Sequence, residues 1–208
     1  MTPVGSLSLE ALQSTLSESG TPVTSEQARQ LLAYLELLLR WNARTNLTAV
    51  REPLAIVKRH FADSLFCARK IPPSTQTVLD FGSGGGFPGV PLAILHPELA
   101  VTLAESQSKK AAFLREVVRT LGLTAQIWGQ RVEGMPAEQR FDCVTLRAVD
   151  QMLLACPLAA ERLALGGTLL AFSTERLFES VEQTLPGWHW SQTALPHSEN
   201  GLLIIASR

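Results

Sequence analysis

Five glycines crowd positions 82–89 of the stretch "VLDFGSGGGFPGVPLAIL", Val78 to Leu95, with an apolar run on each side. No other stretch restricts the fold as much. A short apolar run that ends in glycines reads as a buried strand, and the bare turn after it lets backbone approach whatever lies beyond the strand's carboxyl end. From Thr77 onward the pattern continues. "VTLAE" is a second apolar run, followed by the helical "SKKAAFLREVVRTLGL", closed by Gly122. "AQIW", "FDCVTL" and "TLLAF" are further strand candidates, the last two separated by a helical stretch ending at Gly166-Gly167. Strands alternating with helices predict an α/β fold with a parallel, doubly wound sheet. Trp188 to Leu195 and "LLIIAS" follow with no helix between them, which predicts an antiparallel edge strand.

The region before Thr77 has helical periodicity instead. Leu9, Leu12 and Leu16 form a short stripe with Gly20 as its stop. Thr24 and Gln27 offer a capping box ahead of Ala28, Leu31, Leu32, Leu35, Leu38 and Leu39, one apolar stripe. Pro53 suits the first turn of a third helix running to about Arg69, and "IPPST" breaks the pattern. The expected organisation is an N-terminal helical cap, 1–72, packed on a body of residues 73–208 as one compact unit. Apolar residues are 46% of the chain, enough for one core.

Charge and cysteine usage narrow the function. A net charge of −1 rules out a basic field over the whole protein, so any nucleic-acid contact must come from a local patch. Arg40 to Lys70 supplies one: seven basic residues, among them Arg51, Lys58 and Arg59, against Glu52 and Asp63. A solvated helix face is the competing reading of that run. Cys67, Cys143 and Cys156 are far apart and odd in number, and His96, His189 and His197 have no partners at ligand spacing, so neither a disulfide framework nor a metal site is expected. The opening "MTPVGSLSLEALQ" has no basic region leading into an apolar run, and no apolar run is long enough to span a bilayer. The expectation is a reduced, cytoplasmic location with no membrane.

Two ligand patterns overlap at the glycine loop. Gly84, Gly86 and Gly89 satisfy the dinucleotide fingerprint, whereas Gly82, Gly84 and Gly86 satisfy G-x-G-x-G with Asp80 near the strand's end. The dinucleotide register leaves Gly82 and Ser83 as an insertion and brings Asp80 near two phosphate charges. A ligand with a cationic end suits Asp80 better, and S-adenosylmethionine, with its sulfonium and ammonium, is one. The next strand ends at Glu105, 23 residues after Gly82, the spacing of a carboxylate that accepts ribose hydroxyls. The methyl donor is the favoured cofactor and a nicotinamide the competitor.

The residues after the fourth strand, Leu146-Arg147-Ala148-Val149, contain no Asn/Asp-Pro-Pro-aromatic grip for an exocyclic amine. No Pro-Cys or Thr-Cys pair is present to attack a pyrimidine. An acceptor that needs neither proton removal nor covalent activation fits, such as guanine nitrogen 7, for which positioning supplies most of the rate.

"WNARTNLT" (Trp41 to Thr48), "KRHFADSL" (Lys58 to Leu65), "FGSGGGFPG" (Phe81 to Gly89), "ESQSKKAAFL" (Glu105 to Leu114), "QRVEGM" (Gln130 to Met135) and "LRAV" together resemble the bacterial 16S ribosomal RNA guanine-7 methyltransferase family, RsmG, also called glucose-inhibited division protein B. The resemblance covers nearly the whole chain. It implies a class I, Rossmann-like methyltransferase sheet with an N-terminal helical extension, S-adenosyl-L-methionine as donor, and 16S ribosomal RNA or the small subunit as partner. A monomer is expected. Gly82 and Phe87 then match donor-loop positions, Glu105 the ribose acid, Val132 and Glu133 the adenine-side loop, and Arg147 a donor-contacting, positioning arginine. RNA contacts are expected from Arg51, Lys58, Arg59, Asn46 and His60. His60, Asp63, Ser64 and Cys67 fall on one helix face, either bracing the cap or looking into the site's mouth. One departure is that Phe172 is followed by Ser173-Thr174 where the family often has Lys-Gly, so whatever that lysine would touch has no counterpart here. Two alternatives stay open: an RNA-binding assembly factor without catalysis, and a methyltransferase of another substrate.

Overall fold

The computed structural model describes residues 7–147 and 152–208. Helix α1, Leu9–Glu18, starts at Ser8, whose side chain accepts from the Ala11 amide at 3.1 Å. Helix α2, Ser25–Thr45, opens on the expected capping box, with Thr24 and Gln27 bonded reciprocally, and buries Ala28, Leu31, Leu35 and Leu38 of the apolar stripe, with Leu32 and Leu39 half-buried beside them. Its C-cap is Asn46, held in the left-handed region at φ 51°. The third helix is one continuous element in three parts: α3, Pro53–Ile56, a π-helical turn, Val57–Ala62, and α4, Asp63–Ala68. Wide π turns inside helices recur at functional sites, and this one lies beside the cleft described below.

The sheet has seven strands: β1 Thr77–Phe81, β2 Ala100–Ala104, β3 Gln126–Trp128, β4 Phe141–Leu146, β5 Leu163–Thr174, β6 His189–Ala194 and β7 Gly201–Ser207. Their order is β3-β2-β1-β4-β5-β7-β6. Helices α5, Gly89–Leu95, and α6, Ser108–Leu121, lie between the early strands in sequence. Helices α7, Met152–Ala160, and α8, Glu175–Glu182, flank β5.

Strand alternation divides the core in two. Val78 and Cys143 share one apolar cluster with residues of α1, α2, α5 and α6, while Leu79 and Val144 share another with residues of α7 and α8. Leu12, Leu31, Tyr34 and Phe61 of the N-terminal helices share the first cluster with Val101 and Phe113. Those helices therefore have no separate core.

Two expectations are corrected. The antiparallel strand is not at the edge: β7 sits between β5 and β6, antiparallel to both, and β6 is the edge. The reason is the order of the returns: α8 connects β5 to β6 one position beyond its neighbour, and β7 comes back into the place between them. Gly166-Gly167 does not end a helix. Helix α7 stops at Ala160, and the two glycines lie within β5, where the pairing to β4 slips between Phe141 and Cys143. Among the described residues no helix is long and apolar enough to cross a membrane.

Candidate active site

A cleft of about 980 Å³ opens beyond the carboxyl ends of β1, β2 and β4, where ligands lie in open α/β sheets. One wall comes from the body. It includes Gly82, Gly84, Phe87, Glu105, Val132 and Glu133. Glu105 follows β2 and is buried, with only 7% of its surface exposed. Its carboxylate accepts from the Gly84 amide at 3.0 Å and the Gln107 amide at 2.7 Å, so it locks the loop to the next strand.

The loop's own amides decide which ligand charge it tolerates. The Ser83 amide donates to the Ala104 carbonyl, Gly84 to Glu105, and Gly86 and Phe87 to the Ser83 carbonyl. Gly89, the first residue of α5, donates to Asp80 Oδ2 at 3.2 Å. The helix N-terminus that would receive a pyrophosphate already holds the Asp80 carboxylate. This fits a ligand with a cationic end and opposes a dinucleotide.

Asp80 and Gly86 are not where the sequence puts them. Asp80 is fully buried beneath the loop, not on the cleft wall. Period-two alternation turns it to the α5 side of the sheet, opposite Thr145 on β4, whose hydroxyl donates to it at 2.7 Å. Burial pushes its carboxyl up to about 6 against the pull of these hydrogen bonds. Gly86 also turns away from the cleft, since a Cβ there would lie 2.7 Å from the Tyr34 hydroxyl. Gly84 faces open space, with only the Gly82 carbonyl within 4 Å of such an atom.

The opposite wall comes from the cap and includes Asn46, Thr48, Arg59 and His60. Asn42 shapes its turn, accepting from the Leu47 and Thr48 amides and donating to the Thr48 carbonyl. His60 Nε2 lies 2.8 Å from Thr48 Oγ1, and its Nδ1 is 3.3 Å from Arg147 Nη2. Burial, and then the charges of Arg147 and Arg59, lower the His60 pKa to about 3, so the ring is neutral. Arg51 and Lys58 are exposed and do not line the cleft, whereas Arg59 does.

Arg147 touches the cleft, but its guanidinium is committed to the cap. It donates to the Arg59 and His60 carbonyls, to Ser64 Oγ at 3.3 Å and to Asp63 Oδ2 at 3.1 Å. It also lies over the Phe172 ring, 4.6 Å from the centroid. Burial lowers the Arg147 pKa, opposed by Asp63, and burial raises the Asp63 carboxyl, opposed by Arg147. The helix face holding His60, Asp63 and Ser64 thus does both jobs considered for it: it braces the cap, and its first residue borders the cleft. Ala148 and Val149 of the "LRAV" motif lie outside the described residues. Ser173, standing where the family often has lysine, has a buried hydroxyl without a partner among the described residues.

Sequence reasoning missed Tyr34, Asn42 and Thr48. It also missed the third side of the cleft, Leu154, Ala155 and Leu158 of α7, where Leu154 stays 63% exposed. A helix apolar on all sides gives no periodic signal for which face is left open. Among the described residues no group of three His, Cys, Asp or Glu side chains could hold a metal ion.

Residues 27–197 match the GidB family model, rRNA small subunit methyltransferase G. A protein of Xylella fastidiosa (strain M23), named ribosomal RNA small subunit methyltransferase G, is 41% identical over 86% of each chain. One of the same name from Chloroflexus aggregans is 40% identical over 73% of this chain, which spans 66% of that relative. Among solved structures, an O-methyltransferase from Bacillus cereus in complex with SAH superposes with a TM-score of 0.62 at 16% identity, covering 97% of this chain and all of that one. That likeness establishes the class I methyltransferase fold.

Proposed function

The chain belongs to the rRNA small subunit methyltransferase G family, and on that premise we propose that it transfers a methyl group from S-adenosyl-L-methionine to nitrogen 7 of a guanosine in 16S ribosomal RNA. The observation that carries the donor is the glycine loop, with its Ser83, Gly84, Gly86 and Phe87 amides already bonded, meeting the Glu105 carboxylate at the cleft. The backbone from Gly82 to Phe87 would hold the methionine end, Glu105 the ribose, and Val132 with Glu133 the adenine side. When bound, the donor supplies a methyl group activated on a sulfonium. Glu105 keeps free acceptor capacity on both oxygens after taking one amide each, as two ribose hydroxyls require.

The cap wall supplies orientation. Asn46, Arg59 and His60 border the acceptor side, and Arg51, Lys58 and Arg59 meet RNA phosphates. Guanine nitrogen 7 has an in-plane lone pair and no proton to lose. His60, neutral and engaged at both ring nitrogens, is suited to packing and hydrogen bonding and not to proton abstraction. Arg147 works by holding the residues through 72, the cap, against the body of residues 73–208, so that acceptor and methyl meet in line.

Mass spectrometry of ribosomal RNA digests tests the proposal. Cells lacking the protein should lose one 7-methylguanosine from 16S RNA, and the purified protein with S-adenosylmethionine should restore it. Identical digests with and without the protein would overturn the assignment. Failure to bind the donor in a calorimetric titration would leave the RNA-binding assembly factor.

A further inference from the structure

Tyr34 has no part in the function described so far, yet it is a fully buried polar side chain reaching from α2 to the glycine loop. Its ring stacks on Phe61, with centroids 5.3 Å apart and planes 8° from parallel, and tilts against Phe87 at 5.5 Å. A phenylalanine would serve that packing equally well. The hydroxyl is the informative part, because burying it costs free energy unless it finds a partner. Its partner is the Gly85 carbonyl, 51 residues along the chain.

We propose that the Tyr34 hydroxyl is a positioning residue of the donor site, fixing the Gly85–Gly86 peptide in the orientation that the methyl donor meets. This rests on reading the loop as the donor site. On the sheet side, the loop is tied by Glu105 to Gly84 and by Asp80 to Gly89. Between those ties lie consecutive glycines, whose peptides have no side chains to oppose rotation. The Gly86 amide of the Gly85–Gly86 peptide is held inside the loop by the Ser83 carbonyl, and the cap restrains its other end. The Tyr34 hydroxyl bonds the Gly85 carbonyl, and the Leu47 carbonyl and Leu38 side chain stand 3.3 and 3.6 Å from where a Gly85 Cβ would be. At Gly86, φ is +93°, and a Cβ would lie 2.7 Å from the Tyr34 hydroxyl and 2.8 Å from Val90 Cγ2. The bare Gly86 is therefore the space that the hydroxyl occupies, and the N-terminal helices form the back of the donor site as well as the RNA-facing wall.

Tyr34→Phe tests this, because it keeps the ring and removes one atom. The expected result is a dissociation constant for S-adenosylmethionine raised at least about fivefold, as for loss of a buried hydrogen bond. RNA affinity measured without donor should stay within about twofold of the parent, since Arg51, Lys58 and Arg59 are untouched. In the ligand-free protein, hydrogen exchange should quicken at the Gly84–Phe87 amides and not in α6. Gly86→Ala should also weaken donor binding. The pair Tyr34→Phe and Gly86→Ala should lose less than the sum of the two, because the hydroxyl is one of the atoms the new methyl strikes. Parental donor affinity in Tyr34→Phe, or unchanged exchange in the loop, overturns the inference. A parent protein that takes up no S-adenosylmethionine sinks the function it rests on, a separate result. The exchange measurement judges Tyr34 even then.

Discussion

Glu105 and Arg147 follow strands on either side of β1, and both border the same cleft, yet they answer to different parts of the chain. Glu105 accepts from amides two and 21 residues away. Arg147 donates to groups 83 to 88 residues away, all on the helix that follows Pro53. The body wall is a local product of one strand-turn-helix unit and the strand beside it. The cap wall exists only once a separate helical layer has docked. Damage to the first should show in donor binding, and damage to the second in stability and RNA handling.

Arg147→Ala is the harshest test of that division. It leaves Asp63, 5% exposed at its side chain, as a buried carboxylate without its cation. Breaking such a pair costs about 3–5 kcal/mol, readable by urea denaturation. Adding Asp63→Asn should recover part of the loss, because the stranded charge goes with it. A protein of parental stability that had lost only donor affinity would instead move Arg147 to the donor side.

Glu105→Ala should act in the opposite sense. The dissociation constant for S-adenosylmethionine should rise at least about tenfold, since charge-assisted bonds to the ribose are removed. Stability should fall by only about 1 kcal/mol, because the freed Gly84 and Gln107 amides lie at a cleft that water can enter. Calorimetry and thermal unfolding measure the two effects separately, and equal donor binding would remove Glu105 from the site.

Neutralising Arg51, Lys58 and Arg59 together should leave both donor affinity and melting temperature near the parent's. Against RNA it should flatten the dependence of log affinity on log salt by about 0.7 for each phosphate that is no longer neutralised. If affinity and slope both survive, these side chains form a solvated face and RNA approaches elsewhere.

His60→Gln should have the smallest effect. Single-turnover methyl transfer should stay within about tenfold of the parent, less than removal of a general base costs. The pH dependence sharpens the test. The folded His60 titrates at about 3, below its ordinary 6.5, so the unfolded chain binds a proton that the native state refuses. The parent should therefore lose stability as pH falls from about 6.5 toward 3, and the variant should lack that share of the slope. A transfer rate that climbs between about pH 6.5 and 8.5 in the parent and not in the variant would make His60 a base after all.

What the sequence determined by itself is what depends on near neighbours. Period-two and helical repeats identify strands, helices and their buried faces, because burial on one side of an element is written into its own spacing. The capping box at Thr24, the glycine turn after β1 and the acid at the end of β2 were legible for that reason. The proposed donor class draws on the same local unit, because Glu105 and the loop are tied to each other there. Tertiary structure decided the rest. It turned Asp80 under the loop, filled the space at Gly86 with a tyrosine from α2, and spent the Arg147 donors on the cap. It also placed β7 inside the edge strand. Each of these depends on how separately formed layers dock. A side chain's local spacing shows which way it points, and only the docked layers show what it meets there.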